Sequence, residues 1–308
     1  MAEAMTHGAP PAGESVCAVI VTYNRRELLA ESITAVLAQS RPPDSVIVVD
    51  NASEDGSREM LEERFADVEV LRLERNEGAA GGFHEGIKEA HARGHDQIWL
   101  MDDDTIPEPQ ALAELLAARA EPVASNAAFV ASKVVWSDGR THPMNRPWLT
   151  WKDTDMLIEN VAAGHGLLPV RATTWVSMLL ERETVERHGL PEKRYFMWSE
   201  DIEYTARVTR HDSAFLAVRS IAVHKTPEPH TALTSAGERY YFHVRNQLYM
   251  LRSSGWSGLE KASLILNLFR SVRAFLQRER FRPHALGVVA RGIRDGIVAP
   301  RDPAGPYL

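Results

Sequence analysis

The sequence is poor in cysteine and contains no long hydrophobic run. Cys17 is the only cysteine among 308 residues. This excludes a disulfide framework and a cysteine-based zinc site, and it favours a reducing compartment. No stretch approaches the roughly 18 apolar residues that a membrane-spanning helix needs. Residues 1–14 lack the charged start and apolar centre of a signal peptide, so we expect a flexible tail there.

Charge is distributed unevenly along the chain. The net charge is −7, yet residues 239–308 carry 12 Lys and Arg against 4 Asp and Glu. An acidic body argues against nucleic acid as the main partner, because phosphate backbones are bound by basic surfaces. The basic C-terminal part predicts a second surface with a different partner.

Apolar runs typical of buried strands alternate with helical stripes in the first third of the chain. The predicted strands cover 16–22, 45–49, 68–73 and 97–101, and each is followed by a helical pattern. This alternation predicts an α/β fold with a parallel sheet and right-handed crossovers. Ligands of such sheets bind beyond the carboxyl ends of the strands. Further strands are predicted over 129–135, 174–180 and 214–223, with a loop-rich region over 137–170.

Three carboxylates, Asp102, Asp103 and Asp104, follow the fourth predicted strand directly. Side chains at positions i and i+2 of an extended segment point the same way. Two carboxylates placed in this way can hold a divalent cation, which in turn can hold a diphosphate. The alternative interpretation is a solvated acidic turn.

Residues 76–86 form the glycine-rich segment NEGAAGGFHEG. Its spacing does not match the dinucleotide-binding fingerprint, and it follows the third predicted strand instead of the first. A glycine-rich backbone before a helix permits close approach of a diphosphate or a sugar. A tight packing turn is the alternative.

A second acidic group, Glu200, Asp201 and Glu203, follows Trp198. A carboxylate beside an aromatic ring fits a general base next to a sugar platform. Carboxylates are also favoured in the first turn of any helix, which is the structural alternative. His224 ends a predicted strand and is either a metal ligand or a structural residue.

Four segments together resemble the inverting GT-A glycosyltransferases of family 2. These are VIVTYNR, VIVVDNASEDGS, NEGAAGGF and WLMDDDT, which occur in that family's order and spacing within about residues 15–230. The resemblance implies a GT-A fold, a Rossmann-like and mostly parallel sheet flanked by helices, over 15–235. A basic helical C-terminal region is then expected over 236–308. By length, glycine segment and basic tail, the chain resembles the actinobacterial galactofuranosyltransferases that start cell-wall galactan synthesis.

The resemblance also implies a role for each matching residue. The nucleotide and donor contacts it implies are Thr22, Tyr23, Arg25, Asp50, Asn51, Arg75, Asn76, Gly81, Gly82 and Asp103. The implied ligands of Mn²⁺ or Mg²⁺ are Asp102, Asp104 and His224. Asp201 is the implied general base, with Glu200 as the alternative. Trp198 and Glu203 are expected on the acceptor side.

The implied reaction transfers galactofuranose, with inversion, from UDP-galactofuranose to a polyprenyl-diphosphate-linked glycan in arabinogalactan synthesis. Bacterial rhamnosyltransferases share most of the same features, so transfer of rhamnose from dTDP-rhamnose is an alternative. A non-catalytic scaffold that binds a nucleotide sugar is a second alternative.

The basic segment 257–294 has an amphipathic helical pattern. Such a helix can lie in the interface of an anionic membrane, or it can pack on the catalytic domain or in a homo-oligomer. The lipid-linked acceptor that the resemblance implies favours the membrane. We therefore expect a cytoplasmic protein that lies peripherally on the inner face of the plasma membrane.

Overall fold

The computed structural model describes residues 13–150, 161–228 and 237–298, and these residues form one large β-sheet with helices packed against it. The strands are β1 (Val16–Thr22), β2 (Ser45–Asp50), β3 (Glu69–Arg72), β4 (Gln97–Asp102), β5 (Thr105–Pro107), β6 (Phe129–Val135), β7 (Trp148–Leu149), β8 (Leu167–Ala172), β9 (Met178–Glu181) and β10 (Ala214–His224).

Helices connect most of these strands and make up the C-terminal part. They are α1 (Arg26–Leu37), α2 (Ser57–Arg64), α3 (Gly78–Ala92), α4 (Ala111–Ala120), α5 (Arg182–His188), α6 (Glu200–Val208), α7 (Tyr240–Arg252), α8 (Gly258–Arg278) and α9 (Pro283–Val298). Short 3₁₀ turns lie at Pro143–Asn145, Lys193–Tyr195 and Gly237–Arg239.

The strand order is β3-β2-β1-β4-β9-β6-β10-β8-β7, and β5 pairs with β10 outside this row. Strands β3, β2, β1 and β4 are parallel neighbours, as the alternating pattern predicts. Strand β9 runs antiparallel to both β4 and β6, whereas β10 is parallel to β6. The sheet is therefore mixed and mostly parallel, and the expected α/β class is confirmed.

Each face of the sheet has its own apolar core. On β1, Ala18 and Ile20 pack with residues of α1, α2 and α4. The alternate residues Val19 and Val21 pack with Phe83 of α3 and with residues of α6. Helices thus cover both faces, which explains why β1 is apolar at every position.

The C-terminal helices form a further layer around an aromatic cluster that includes Tyr240, Phe242 and Phe275. Helix α9 approaches α7 closely, since a Cβ at Gly292 would lie 3.0 Å from the carbonyl oxygen of Tyr241. Arg171 of β8 ties α8 to the sheet through an ion pair of 2.6 Å with Glu260. Across the described ranges, none of the helices has both the length and the apolarity to span a bilayer.

Two local predictions need correction. Helix α3 already begins at Gly78, so most of the glycine-rich segment lies within the helix and not before it. The strand predicted from residue 174 begins only at Met178. The tail over 1–12 and the boundary expected between 235 and 236 lie outside the described residues.

Candidate active site at the carboxyl ends of the strands

The acidic triplet at the end of β4 is held by side chains at and just beyond the end of β1. Thr22 Oγ1 donates a hydrogen bond of 2.8 Å to Asp103 Oδ2. The guanidinium of Arg25 contacts both Asp103, at 3.3 Å, and Asp104. Asp103 and Asp104 are both buried, so Arg25 supplies the positive charge that two buried carboxylates require.

The three carboxyl groups have unequal affinities for protons. Burial, together with the charge of Asp104, raises the pKa of Asp102 to about 7. Burial also raises the pKa of Asp103 to about 6, although Arg25 opposes that rise. Burial acts in the same direction on Asp104, but His224 and Arg25 outweigh it and lower its pKa to about 2. Mutual repulsion is thus relieved by counter-charges at Asp104 and by easier protonation at Asp102.

Antiparallel pairing of β10 with β5 brings His224 to the acidic triplet. In this pairing His224 lies opposite Thr105, the residue after Asp104. Its Nε2 is 3.1 Å from Asp104 Oδ1. Burial would lower the pKa of His224, but the hydrogen bond and charge of Asp104 outweigh burial and raise it.

Asn145 orients the imidazole of His224 from the other side. His224 Nδ1 lies 2.8 Å from Asn145 Oδ1, and Asn145 Nδ2 donates to Thr174 Oγ1 at 2.8 Å. With the amide oriented in this way, His224 Nδ1 donates to Asn145 and Nε2 is the nitrogen that faces Asp104. No sequence pattern pointed to Asn145, because it lies in the segment interpreted as loop-rich.

The donor set fits a hard divalent cation. Asp104 Oδ1 is buried and faces His224 Nε2. Carboxylate oxygens with one imidazole nitrogen suit Mn²⁺ or Mg²⁺. Among the residues that the structure describes, no three His, Cys, Asp or Glu side chains are arranged as around a metal ion. The role of Asp102, Asp104 and His224 as metal ligands therefore stays a prediction.

Asp50 offers a buried acceptor at the end of β2. Its Oδ1 accepts a hydrogen bond of 2.9 Å from the backbone N–H of Ser53. Its Oδ2 is buried and has no hydrogen-bond donor among the described residues. An acceptor in this state fits an N–H group of a bound base, because an unpaired buried acceptor costs free energy.

Arg72, not Arg75, is the arginine beside Asp50. Arg72 is paired in register with Asp50 across β3 and β2, and its Nε lies 4.0 Å from Asp50 Oδ2. The side chain of Arg75 is 69% exposed and lies 3.9 Å from Glu77. The sequence pattern drew attention to residues after the strand, whereas Arg72 is the last residue within it.

Asn51 and Asn76 shape the start of α3. Asn51 Oδ1 accepts from the backbone N–H of Glu77 at 3.2 Å, and Asn76 Oδ1 accepts from that of Gly78 at 2.8 Å. Gly82 lies against Val21, with no room for a Cβ, and a Cβ at Gly81 would overlap that of Glu77. These contacts give the four residues packing and capping roles, and their contacts with a donor stay a prediction. Tyr23, also assigned to the donor, is partly exposed beside Asp103.

Gly78 joins the donor side of the site to the second acidic group. It has φ of +71°, and a Cβ at this position would overlap the carbonyl oxygen of Phe196. The same oxygen accepts a hydrogen bond of 3.0 Å from the backbone N–H of Ala80. Only glycine combines this φ with such close approach.

The segment before α6 has a strained backbone. Phe196, Trp198 and Ser199 all have positive φ, between 61° and 72°. Each such residue costs of order 1 kcal/mol or more and persists only where its surroundings hold it. This segment places Trp198 and leads directly into Glu200 and Asp201.

Glu200 and Asp201 both hold a proton more tightly than ordinary carboxyl groups. Burial, followed by the charge of Asp201, raises the pKa of Glu200 well above its usual range, and Asp102 adds to the rise. Burial raises the pKa of Asp201 to about 6. Asp201 is thus mostly ionised at neutral pH, as a general base must be, whereas Glu200 holds its proton more tightly. The influence of Asp102 on Glu200 shows that the two acidic groups lie in electrostatic reach of each other.

Glu203 points into the protein interior. It is buried, accepts a hydrogen bond of 2.7 Å from Ser253 Oγ, and pairs with Arg207 at 3.1 Å. This geometry favours a structural role that ties α6 to the end of α7. Its assignment to the acceptor is not supported by these contacts.

The family model "Glycosyl transferase family 2" matches residues 17–175, which is more than half of the chain. The chain belongs to glycosyltransferase family 2. It is 31% identical over 256 residues to galactofuranosyltransferase GlfT1 of Mycolicibacterium smegmatis, covering 79% of this chain and 84% of the relative. With GlfT1 of Mycobacterium tuberculosis H37Rv it is 34% identical over 207 residues, covering 66% and 67%. This family 2 member is therefore a glycosyltransferase that resembles GlfT1.

Solved structures support the fold of this family 2 glycosyltransferase. S. aureus TarS 1–349 in complex with UDP-GlcNAc superimposes with a TM-score of 0.62 at 14% identity, covering 92% of this chain and 80% of TarS 1–349. The mannosyltransferase PcManGT of Pyrobaculum calidifontis, in complex with GDP-Man and Mn²⁺, gives 0.58 at 18% identity, covering 97% and 80%. The expected GT-A fold with additional C-terminal helices is confirmed.

Proposed function

We propose that this protein transfers galactofuranose, with inversion, from UDP-galactofuranose to a polyprenyl-diphosphate-linked glycan in cell-wall galactan synthesis. The observation that carries the proposal is the similarity to GlfT1, which extends over 79% of the chain and includes both acidic groups. The names of these relatives support the galactofuranosyl donor. The lipid-linked acceptor rests on the family resemblance.

Residues at and just beyond the ends of β1, β2 and β4 would hold the donor. The unpaired Asp50 Oδ2 would accept a hydrogen bond from the uracil ring, with Arg72 at the same edge. Thr22 and Arg25 fix Asp103, which would face the ribose or the sugar. Bound Mn²⁺ or Mg²⁺, held by Asp102, Asp104 and His224, would supply positive charge to the leaving diphosphate.

Asp201 would act as the general base on the acceptor side. Its carboxylate would take the proton of an acceptor hydroxyl while that oxygen bonds to the anomeric carbon. The bond from the anomeric carbon to the diphosphate oxygen breaks in the same step, and UDP leaves. Because attack comes from the opposite face, the configuration inverts and no covalent enzyme intermediate forms. Trp198 would provide an apolar platform for the acceptor sugar.

We also propose that α8 and α9 contact an anionic membrane on the cytoplasmic face. Leu259, Ile265 and Phe269 are exposed on α8, with exposed fractions of 87%, 56% and 67%. Arg270 and Arg273 are exposed on the same helix. Exposed apolar side chains beside arginines complement an anionic lipid interface, where a lipid-linked acceptor would be presented.

A donor panel with a lipid-linked acceptor tests the proposed reaction. UDP-galactofuranose, UDP-galactopyranose and dTDP-rhamnose are each incubated with Mn²⁺ and a polyprenyl-diphosphate-linked glycan, and product linkages are determined. We expect transfer from UDP-galactofuranose alone, and Asp201→Asn is the matched inactive control. Transfer from dTDP-rhamnose would instead support the rhamnosyl alternative. UDP binding without any transfer would support the scaffold, and absence of nucleotide binding would contradict the transferase.

A further inference from the structure

A single amide of helix α7 holds the strained segment that precedes the proposed base. Asn246 Nδ2 lies 2.9 Å from the carbonyl oxygen of Tyr195, 2.8 Å from that of Met197 and 2.7 Å from that of Trp198. Its two N–H hydrogens are thus shared among three carbonyl oxygens of one short segment. Asn246 is completely buried, so these hydrogen bonds face no competition from water.

The neighbouring residue on α7 fixes the orientation of this amide. Arg245 Nε donates to Asn246 Oδ1 at 2.9 Å, which turns Nδ2 toward the segment. Arg245 Nη2 donates to the Tyr195 carbonyl oxygen at 2.7 Å. The guanidinium of Arg245 is itself completely buried and lies over the ring of Phe242. Arg245 and Asn246 are therefore ordered parts of the C-terminal layer that hold the segment in place.

The opposite side of the segment is fixed by helix α3. The Phe196 carbonyl oxygen, which lies between those that Asn246 binds, accepts from the Ala80 N–H. Four consecutive carbonyl groups, from Tyr195 to Trp198, thus have donors from two different layers of the protein. This explains how three residues with positive φ are held in one conformation.

We propose that Asn246 is a positioning residue for the transfer reaction. It acts through the segment 195–199, which sets the place of the Trp198 indole and the direction of the first turn of α6. It does not contact the donor site formed by Asp50, Thr22 and Arg25. The inference rests on the proposed function, since it assigns Trp198 and Asp201 to the acceptor side. It predicts that the C-terminal helices complete the acceptor half of the active site.

Two substitutions of Asn246 and one control test this proposal. Asn246→Ala removes the donors, and Asn246→Asp keeps the size of the side chain and the bond from Arg245 while removing the donors to the carbonyls. Gln247→Ala removes the adjacent amide of the same helix, which makes no side-chain hydrogen bond recorded among the described residues. UDP affinity is measured by calorimetry with Mn²⁺, and kcat and the acceptor KM are measured by transfer.

We expect both Asn246 variants to bind UDP within about threefold of the wild type. Their kcat should fall by about 10- to 100-fold, since small displacements of reacting groups have such effects, and their acceptor KM should rise. Limited proteolysis should cut them faster after Arg194 and Trp198 than it cuts Gln247→Ala. If Asn246→Ala fails to fold and loses UDP binding, Asn246→Asp decides the test, because it preserves the packing.

The outcomes separate this proposal from the proposed function. Asn246 variants that bind UDP, transfer like Gln247→Ala and resist proteolysis equally would overturn the positioning role. A wild-type protein that neither binds UDP nor transfers sugar would contradict the proposed function. The proteolysis comparison would still show whether Asn246 holds the segment.

Discussion

At the scale of single residues, the site separates two adjacent carboxyl groups by their affinity for protons. Glu200 is buried, and the charges of Asp201 and Asp102 add to the effect of burial, so its pKa lies well above its usual range. Asp201 has a pKa of about 6 and is ionised under the same conditions. The difference supports Asp201 as the proposed base, because only an ionised group can accept a proton.

The pH dependence of kcat should report Asp201. Because its pKa is raised to about 6, the carboxylate becomes protonated as the pH falls through 6. We expect kcat to fall about tenfold per pH unit below that value. Asp201→Asn should lose about 10²- to 10⁴-fold in kcat while binding UDP normally. Glu200→Gln, which imitates the protonated acid, should lose less than about tenfold. A larger loss in Glu200→Gln than in Asp201→Asn would reverse the assignment.

Some site residues could be identified from the sequence and others could not. Asp50 and Asp102–Asp104 follow strongly apolar strands, so their place at the sheet edge follows from the alternation alone. The position of Arg72 beside Asp50 depends on the register between β2 and β3, which a periodic sequence pattern does not predict. Asn145 and Asn246 each bind a residue or segment about 50 or more positions away, and such polar contacts leave no signal in the local sequence.

At the scale of elements, the glycine-rich segment serves the packing of α3 as much as any ligand. The sequence pattern placed these glycines before a helix, but the structure places most of them inside it. Helix α3 crosses β1 so closely that a side chain has no room at Gly82 or at Gly86, which lies beside Val19. Glycine is therefore needed at these helical positions. The first turn of α3 therefore packs against the segment that carries Trp198.

Gly78→Ala should destabilise the protein much more than Gly94→Ala. Both glycines have positive φ, +71° and +86°, so both substitutions carry a similar backbone penalty of about 1 kcal/mol. At Gly94 an added Cβ meets only Arg182 Nη1, at 3.5 Å, whereas at Gly78 it overlaps the Phe196 carbonyl oxygen. We expect Gly78→Ala to lower the free energy of unfolding by about 2 kcal/mol more, measured by urea denaturation. Equal losses of unfolding free energy in the two variants would mean that the backbone at Phe196 moves away from the added Cβ without an energetic cost.

At the scale of the whole molecule, the C-terminal helices have one face on the catalytic layer and one face outside. Leu264 and Phe275 of α8 are buried, while Ile265 and Phe269 are exposed. The sequence pattern left packing and membrane contact as alternatives for this region. In the structure the inner face packs, whereas the apolar and basic outer face is exposed among the described residues, so packing is observed and membrane contact stays a proposal.

Phe269→Glu should weaken binding to vesicles that contain anionic lipid. Removing one exposed aromatic ring from the interface should cost about 1.5–3 kcal/mol, or roughly tenfold or more in partitioning. Val70→Glu, an equivalent change at an exposed position of β3, is the control. Vesicle flotation measures the bound fraction, and added salt should lower it further through the arginines. Equal flotation of both variants would contradict membrane contact by α8.

The strand order has a consequence for the way this molecule is made. Strand β6 pairs only with β9 and β10 among the described strands, and both are translated after it. When β6 leaves the ribosome, its edges therefore have no native partner, and it must wait for about 80 further residues before β10 can lie beside it. Strand β10 also brings His224 to Asp104. The site is therefore completed late in synthesis, after residues 17–175, which match the family model, have emerged.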